Sequence, residues 1–493
     1  MSHLRAILLV GGGGGVPCPR PVAQGLQPSV QDRTVNWKSM TESKKTPARP
    51  TLKAVRGTRD LLPDQTPLWN HVEATARALF ARYGFGEIRT PIFETTELFA
   101  RGVGEETDIV SKEMFTWEDR ARAASEKAQS LTLRPESTAG VVRAYIEHKL
   151  GETGQLQKLY YIGPQFRRER PQRGRYRQFW QIGAEVIGPQ SSGSESPLRD
   201  AEILEMLASL LDELGIRDWR LELNSVGSSE DRVRYNTALR EALAPIKHQL
   251  CEDNQRRADT NPLRVLDSKD EADQDLINAL PKIADYLGPE SKAHFDQVLA
   301  ALDACGVPYH LNPRLVRGLD YYTRTTFEFT VTTGLGTQNA LLGGGRYDGL
   351  SEMLGGPKAP GIGFAIGEDR LILTLQAQAE ADAALSGATI PPAKLDAYIA
   401  PLTPAQNPAA LALARELRTA GLSVEVGDGS FKLRKSFDIA DTLARHIILL
   451  GEDEVSTNTA TVKTFATGQQ TKLEQNLLSG LLSQPHPSKH DDA

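Results

Sequence analysis

Cysteine is nearly absent from the 493-residue chain: Cys18, Cys251 and Cys305 stand far apart and form no CxxC pair. That excludes a disulfide framework and a zinc ribbon. Long apolar runs are missing too, none approaching the roughly 18 residues that span a membrane. The longest early run, Ala6 to Val10, falls short of a secretory h-region of roughly 7–15 residues. There is no excess of positive charge, since 57 Lys and Arg face 63 Asp and Glu for a net charge of −6. A surface coated in basic residues is thereby excluded, although a local basic patch is not. No GxxxxGK[ST] stretch occurs, so any ATP site is not a P-loop. These shortages point to a cytoplasmic chain with no membrane partner.

Forty per cent apolar and 24% charged residues make an ordinary globular composition. The length exceeds the size at which one core stops growing, so two or three domains are expected. Residues 1–50 hold a glycine run (Gly11–Gly15) and no sustained period, and are expected to be a disordered extension. Met40 opens "MTESKKTPARP", which reads as an ordinary start. A transit peptide is the rival reading for residues 1–39, weakened by sparse arginine.

Order is expected from Thr51. Leu68, Val72, Ala76, Leu79 and Phe80 make a helical face that Tyr83-Gly84 ends. "EIRTPIFE" alternates like a strand, with Pro91 placing it at an edge or bulge. "KLYYIGPQFRRER" and "RYRQFWQIGAEVIG" read as two strands joined by "PQRG", a hairpin with an arginine-rich tip. Asp200 is a candidate cap for a helix with Ala201, Leu204, Leu207 and Leu211 on one face. Residues 226–308 are polar and helix-prone and interrupt strand-rich material, so they read as an insertion. Strand patterns resume over 309–378, and 379–394 reads as a linker. Residues 395–478 alternate strand and helix, and 479–493 read as a loose tail.

Four stretches carry candidate chemistry. "FRRERPQRGRYRQF", Phe166 to Phe179, holds six arginines between Phe166 and Arg177. Carboxylates, amides and aromatics are interleaved with them, and on an extended strand Phe179, Gln181, Gly183 and Glu185 share one face. An aromatic face stacks a base and arginines fork onto phosphate, which suits a nucleotide site whose far end reads a polar ligand. The bland alternative is an exposed charged hairpin. In "LTLRPESTAG", Glu136 and Thr138 suit an ammonium group; alternatively Ser137 or Thr138 caps a helix with Glu136 at its positive end. In "RGLDYYTRTTFEF", Arg317 precedes a strand on which Tyr321, Thr323, Thr325, Phe327, Phe329 and Val331 share one face. Tyr322, Arg324, Thr326 and Glu328 share the other, and the tyrosine hydroxyls suit a polar ring or amine. In "GIGFAIGEDR", Gly361, Gly363 and Gly367 would let a ligand lie against the backbone, and Arg370 opens a helix.

Together with "VRGTRDLLP", "NPLRVLDSK" and "GGGRYDGL", these stretches resemble the histidyl-tRNA synthetase family of class II aminoacyl-tRNA synthetases, from about Lys53 to Leu473. "RGLDYY" and "GGGRYDGL" are specific to the histidyl type. "RTPIFE" is similar to the class's motif 1, the arginine-rich hairpin to motif 2 and "GIGFAIGEDR" to motif 3. The resemblance implies an α+β catalytic domain built on an antiparallel sheet (the class II synthetase fold) with a helical insertion, plus a C-terminal α/β anticodon-binding domain. Residues 51–225 would hold motifs 1 and 2, 226–308 the insertion, 309–378 the histidyl motifs and motif 3, and 395–478 the anticodon-binding domain.

The resemblance further implies ATP-dependent ligation of L-histidine to tRNA-His by a homodimer, through a histidyl-adenylate, with AMP and pyrophosphate released. Magnesium would accompany ATP, and no protein-held metal is implied. Glu136, Thr138 and Gln181 would hold the histidine amino group; Glu185 and Tyr322, with Tyr321 and Tyr347 nearby, would meet the ring. Arg167 and Arg317 would be the catalytic cations, touching both histidine and the α-phosphate. Phe179 and Arg370 would sandwich adenine, Glu169 and Arg175 would contact ATP, and Gln172 and Arg173 would touch tRNA. Two departures stand out: Ser137 replaces the family's usual glycine and is expected to crowd its turn, and the C-terminal domain lacks a Lys-x-Gly-Ala ending. The alternative is a non-catalytic, synthetase-like regulatory subunit of ATP phosphoribosyltransferase, a type that usually lacks the C-terminal domain and degrades "RGLDYY".

Overall fold

The computed structural model describes residues 51–104, 107–119, 128–319, 321–336, 339–386 and 394–483. The extension expected at 1–50 lies outside the described residues. Among the described residues no helix is long and apolar enough to cross a membrane.

The first long helix, Thr66–Arg82, has proline in its first turn, where a missing N–H costs nothing. It buries Trp69, Val72, Ala76, Leu79 and Phe80 and stops at Tyr83. Strands follow in chain order: β1 (Gly86–Glu87), β2 (Phe93–Thr95), β3 (Phe115–Asp119), β4 (Gln129–Leu133), β5 (Gln157–Phe166) and β6 (Gln178–Ile187). Next come β7 (Trp219–Ser225), β8 (His310–Leu311), β9 (Thr323–Val331), β10 (Ala340–Arg346) and β11 (Gly361–Gly367). The main sheet runs β1-β5-β6-β11-β10-β9-β7-β8, while β2-β4-β3 form a separate small sheet. All pairings in the main sheet are antiparallel except the short edge pairs β1–β5 and β7–β8. "EIRTPIFE" is therefore not one strand. Its two ends join different sheets, because proline cannot donate to a ladder and the chain turns away around it.

Alternation assigns the main sheet's two faces. Ile182, Ala184 and Val186 of β6, Phe327, Phe329 and Val331 of β9, and Ile362, Phe364 and Ile366 of β11 enter one apolar core. Helices 66–82 and Pro197–Glu213 cover this face and contribute Leu79, Phe80, Leu204, Leu207 and Leu211 to it. The residues between, such as Gln181, Glu185 and Gly363, turn to the opposite face, where a pocket lies.

The insertion has its own core, including Tyr235, Leu239, Leu243, Val265, Leu266 and Ile277. Its expected C-terminal boundary needs correction. Helix Pro289–Cys305 packs Val298 and Leu302 into the main core, and His294 Nε2 lies 2.8 Å from Asp200 Oδ2 on helix 197–213. Periodicity shows that a helix has an apolar face but not which core receives it. The expected linker at 379–394 also begins too early, since helix Glu368–Ser386 runs through its alanine-rich start. Alanine and glutamate are strong helix formers. Residues 387–393 lie outside the described residues.

The C-terminal unit has strands β12 (Leu395–Pro401), β13 (Val424–Val426), β14 (Ala444–Leu450), β15 (Thr459–Thr464) and β16 (Gln470–Glu474). They are ordered β13-β12-β14-β15-β16, with the first three parallel, as the β/α alternation implies. The expected tail at 479–493 is corrected at its start: Leu478 and Leu482 of a short last helix are buried in this unit's core. Residues 484–493 lie outside the described residues.

Candidate active site

β6 presents Phe179, Gln181 and Glu185 along one stripe, as its period of two requires. Glu185 is fully buried, and its carboxylate accepts hydrogen bonds from Thr138 Oγ1 (2.7 Å) and Tyr347 Oη (2.8 Å). Burial pushes the Glu185 carboxyl up to about 8, against the opposing effect of those two hydrogen bonds. Across the strand pair, Glu185 faces Gly363, and a Cβ on that glycine would overlap the carboxylate. Gly361 likewise lies under the Tyr347 ring. These two glycines therefore make room for the site's own side chains. The expectation that Gly361 admits a ligand to the backbone is corrected, since the Tyr347 ring fills that space, whereas Gly363 and Gly367 line the pocket.

Glu136 accepts the Thr138 and Ala139 N–H groups at 2.6 and 3.0 Å, so its carboxylate caps helix Thr138–Glu147. Burial raises its pKa against these bonds. The capping and the ligand-binding readings of this loop thus share one carboxylate. Ser137 does not cap the helix, nor does it crowd the turn: its φ is −110° and its Oγ accepts from Gln165 Nε2 at 2.7 Å. Both residues of that pair are buried.

Tyr161, Tyr321, Tyr322 and Tyr347 surround the two carboxylates. Burial raises the phenol pKa of each, so all four stay protonated as hydroxyl donors. The expectation that Tyr321 and Tyr322 take opposite faces fails. Their ring centroids lie 4.8 Å apart, because β9 begins only at Thr323 and Arg324 takes φ +49° beside a register shift. A bulge of this kind breaks period-two alternation.

The other end of the pocket is cationic. Arg167 donates from Nε to Pro135 O (2.9 Å), and its guanidinium lies 5.3 Å from the Phe179 ring centroid. Glu169 Oε2 pairs with Arg175 Nη1 at 3.2 Å. Arg317 Nη1 reaches Glu328 Oε2 at 2.7 Å and fills the space that Gly343 leaves open. Burial pulls the Arg317 pKa down, but Glu328, Tyr322 and Asp267 outweigh it and leave the guanidinium firmly charged. Arg370 donates from Nη1 to Ala340 O (2.5 Å) and packs against Gly367.

All the predicted small-molecule ligands (Glu136, Thr138, Arg167, Glu169, Arg175, Phe179, Gln181, Glu185, Arg317, Tyr321, Tyr322, Tyr347 and Arg370) line this one pocket. Gln172 and Arg173 do not line it. They sit exposed on the hairpin tip, which Gln172 and Arg175 close through paired backbone hydrogen bonds. Sequence reasoning missed Tyr161, Tyr176 and Asp369 in the lining. Tyr161 was within reach, since hairpin register sets it opposite Gly183, whose missing side chain leaves space for the ring.

Residues 57–371 match the family model described as Histidyl-tRNA synthetase, and residues 396–484 match one described as Anticodon binding domain. The chain is 66% identical over 420 residues to a Koribacter versatilis protein named Histidine--tRNA ligase, covering 85% of this chain and 93% of that one. A Solibacter usitatus protein of the same name is 51% identical over 433 residues, covering 87% and 99%. Among solved structures, the apo histidyl-tRNA synthetase of S. aureus superposes with a TM-score of 0.70 at 37% identity, covering 88% of this chain and all of the other.

Proposed function

The chain belongs to the histidyl-tRNA synthetase family, and from that premise we propose that its pocket activates L-histidine with ATP and passes it to tRNA-His. The observation that carries this reading is Glu185. It is a buried carboxyl held by Thr138 and Tyr347, in a pocket whose other end bears arginines and an aromatic ring.

Glu136, Thr138 and Gln181 hold the histidine ammonium group. Glu185 takes the imidazole, with Tyr321, Tyr322 and Tyr347 around it. A carboxyl poised near neutrality can donate to, or accept from, a ring nitrogen. Phe179 and Arg370 sandwich adenine, while Glu169 and Arg175 contact ATP. Arg167 and Arg317 touch both the histidine carboxylate and the α-phosphate.

In the first step a histidine carboxylate oxygen bonds to the α-phosphorus as the bond to pyrophosphate breaks. No proton moves, so positioning and charge neutralisation supply the catalysis. Arg167 and Arg317 offset the charge that builds on the phosphoryl oxygens. In the second step the terminal ribose hydroxyl of tRNA attacks the adenylate carbonyl. AMP leaves, and the hydroxyl proton passes to a phosphate oxygen of the departing AMP. Magnesium arrives with ATP as part of the substrate. The nearby carboxylates Glu169 and Glu328 are each already paired with an arginine.

A homodimer fits the small β2-β4-β3 sheet, where Phe93 and Trp117 lie exposed with ring centroids 6.0 Å apart, and Ile92 is exposed beside them. Exposed apolar clusters of this kind mark contact surfaces. Gln172 and Arg173 on the hairpin tip meet the tRNA acceptor end, the C-terminal domain meets the anticodon, and the enzyme works in the cytoplasm. The regulatory-subunit alternative is not favoured. The C-terminal domain is present, and Arg317, Tyr321 and Tyr322 of "RGLDYY" all face the pocket.

Histidine-dependent ATP–pyrophosphate exchange, followed by charging of a tRNA-His transcript, tests the reading. A folded protein that performs neither would overturn it.

A further inference from the structure

"VRGTRDLLP" has no place in the chemistry described so far, yet it lies against the nucleotide end of the pocket. Arg59 Nη2 donates to Asp369 Oδ1 at 2.6 Å. The other carboxylate oxygen, Oδ2, accepts the Trp180 N–H at 3.0 Å. One buried carboxylate thus ties Arg59 to two walls of the site. Trp180 follows Phe179 on β6, and Asp369 precedes Arg370 at the start of helix 368–386.

The same guanidinium lies 4.3 Å from the ring centroid of Tyr176, a pocket-lining residue just past the hairpin tip, and 5.7 Å from that of buried Trp69. Planar stacking and a charge-assisted hydrogen bond at once are what arginine provides and lysine does not. Nearby, the Gly57 carbonyl accepts the Arg177 N–H at 2.7 Å. Gly57 holds φ +91°, and a Cβ there would press on Pro171 and Arg177 at 2.8 and 2.9 Å. The segment around Gly57–Arg59 therefore grips the base of the hairpin at two points.

We infer that Arg59 is a positioning residue for ATP: it fixes the spacing between the Phe179 and Arg370 sides of the adenine slot. This rests on the assignment of that slot to ATP. Arg59 makes no contact with Glu136, Thr138 or Glu185, so the histidine end should not register its loss.

The test is initial-rate exchange kinetics on the full chain, varying ATP and histidine in turn. Arg59→Ala should raise the ATP KM by about 10- to 100-fold, the range for small misplacements of a reacting group, with the histidine KM little changed. Arg59→Lys keeps the charge opposite Asp369 but loses the planar stack, so its ATP KM should fall between. If Arg59→Ala does not fold, Arg59→Lys carries the test by itself. A purely structural role would raise both KM values together. Either that result or an unchanged ATP KM in the folded variants would overturn the inference. Wild-type protein without exchange activity would instead overturn the reading of the site.

Discussion

Glu185 and Gly363 stand opposite each other on paired strands, so close that the glycine cannot carry a side chain without displacing the carboxylate. Gly363→Ala should therefore act as an active-site substitution although it adds a single methyl group. Overpacking a filled site costs about 1–3 kcal/mol, visible as a lower melting temperature. Displacement of Glu185 should raise the histidine KM in pyrophosphate exchange far more than the ATP KM. Glu185→Gln should produce the same split without the loss of stability, by about tenfold, since a polar ring atom left without its partner in a buried site costs about 1–3 kcal/mol. Equal changes in both KM values would refute the ring-reading role of Glu185.

The burial of Glu185 also has a pH signature. Its folded-state pKa of about 8 lies above the ordinary value of 4.5. Between those values the unfolded chain has released the proton while the folded chain still holds it. This stabilising contribution is complete below about 4.5 and is lost as pH rises through about 8. Urea unfolding of wild type and Glu185→Gln from pH 5 to 9 isolates the contribution, because other groups cancel in the difference. The wild type should lose stability relative to the variant with rising pH, by up to about 1.4 kcal/mol per pH unit. A flat difference would show that Glu185 is ionised throughout.

Legibility in the sequence followed the range of each signal. Period-two alternation correctly set Phe179, Gln181 and Glu185 on one face, because β6 is a regular central strand paired on both sides. The same rule misplaced Tyr321, because the positive φ at Arg324 interrupts the strand where alternation was being counted. The glycines of β11 were recognisable as a stripe. That Glu185 and Tyr347 fill the space beside Gly363 and Gly361 depends on cross-strand register, which the local sequence does not state. Arg59 was legible only as part of a family motif, since its partner Asp369 lies 310 residues away.

Arg317 is charged, half-buried and paired with Glu328. Its replacement by alanine should slow histidine-dependent pyrophosphate exchange by about 10²–10³, as for the loss of one preorganised donor to a developing oxyanion. Part of the loss could arise from leaving Glu328 without its partner. Arg317→Ala/Glu328→Gln separates the two effects, since the second change removes the orphaned charge. Exchange that stays slow in the double variant supports direct action of Arg317 on phosphate. Near wild-type exchange in either variant would sink that role.

Ser137 and Gln165 share a buried 2.7 Å hydrogen bond beneath the loop that carries Glu136 and Thr138. The Gln165 Oε1 atom has no hydrogen-bond partner, so this bond is the amide's main compensation for burial. Ser137→Gly should cost about 1–3 kcal/mol of stability, the desolvation penalty of a buried polar group left unmatched. It should also loosen the Glu136 loop, seen as a higher histidine KM with an unchanged ATP KM. Replacing both partners by apolar groups removes the unmatched amide along with the bond, and such double changes approach neutrality. Ser137→Gly/Gln165→Met should therefore recover most of the lost melting temperature. If the double variant is instead as unstable as the sum of its singles, the pair is not coupled and the serine merely fills space.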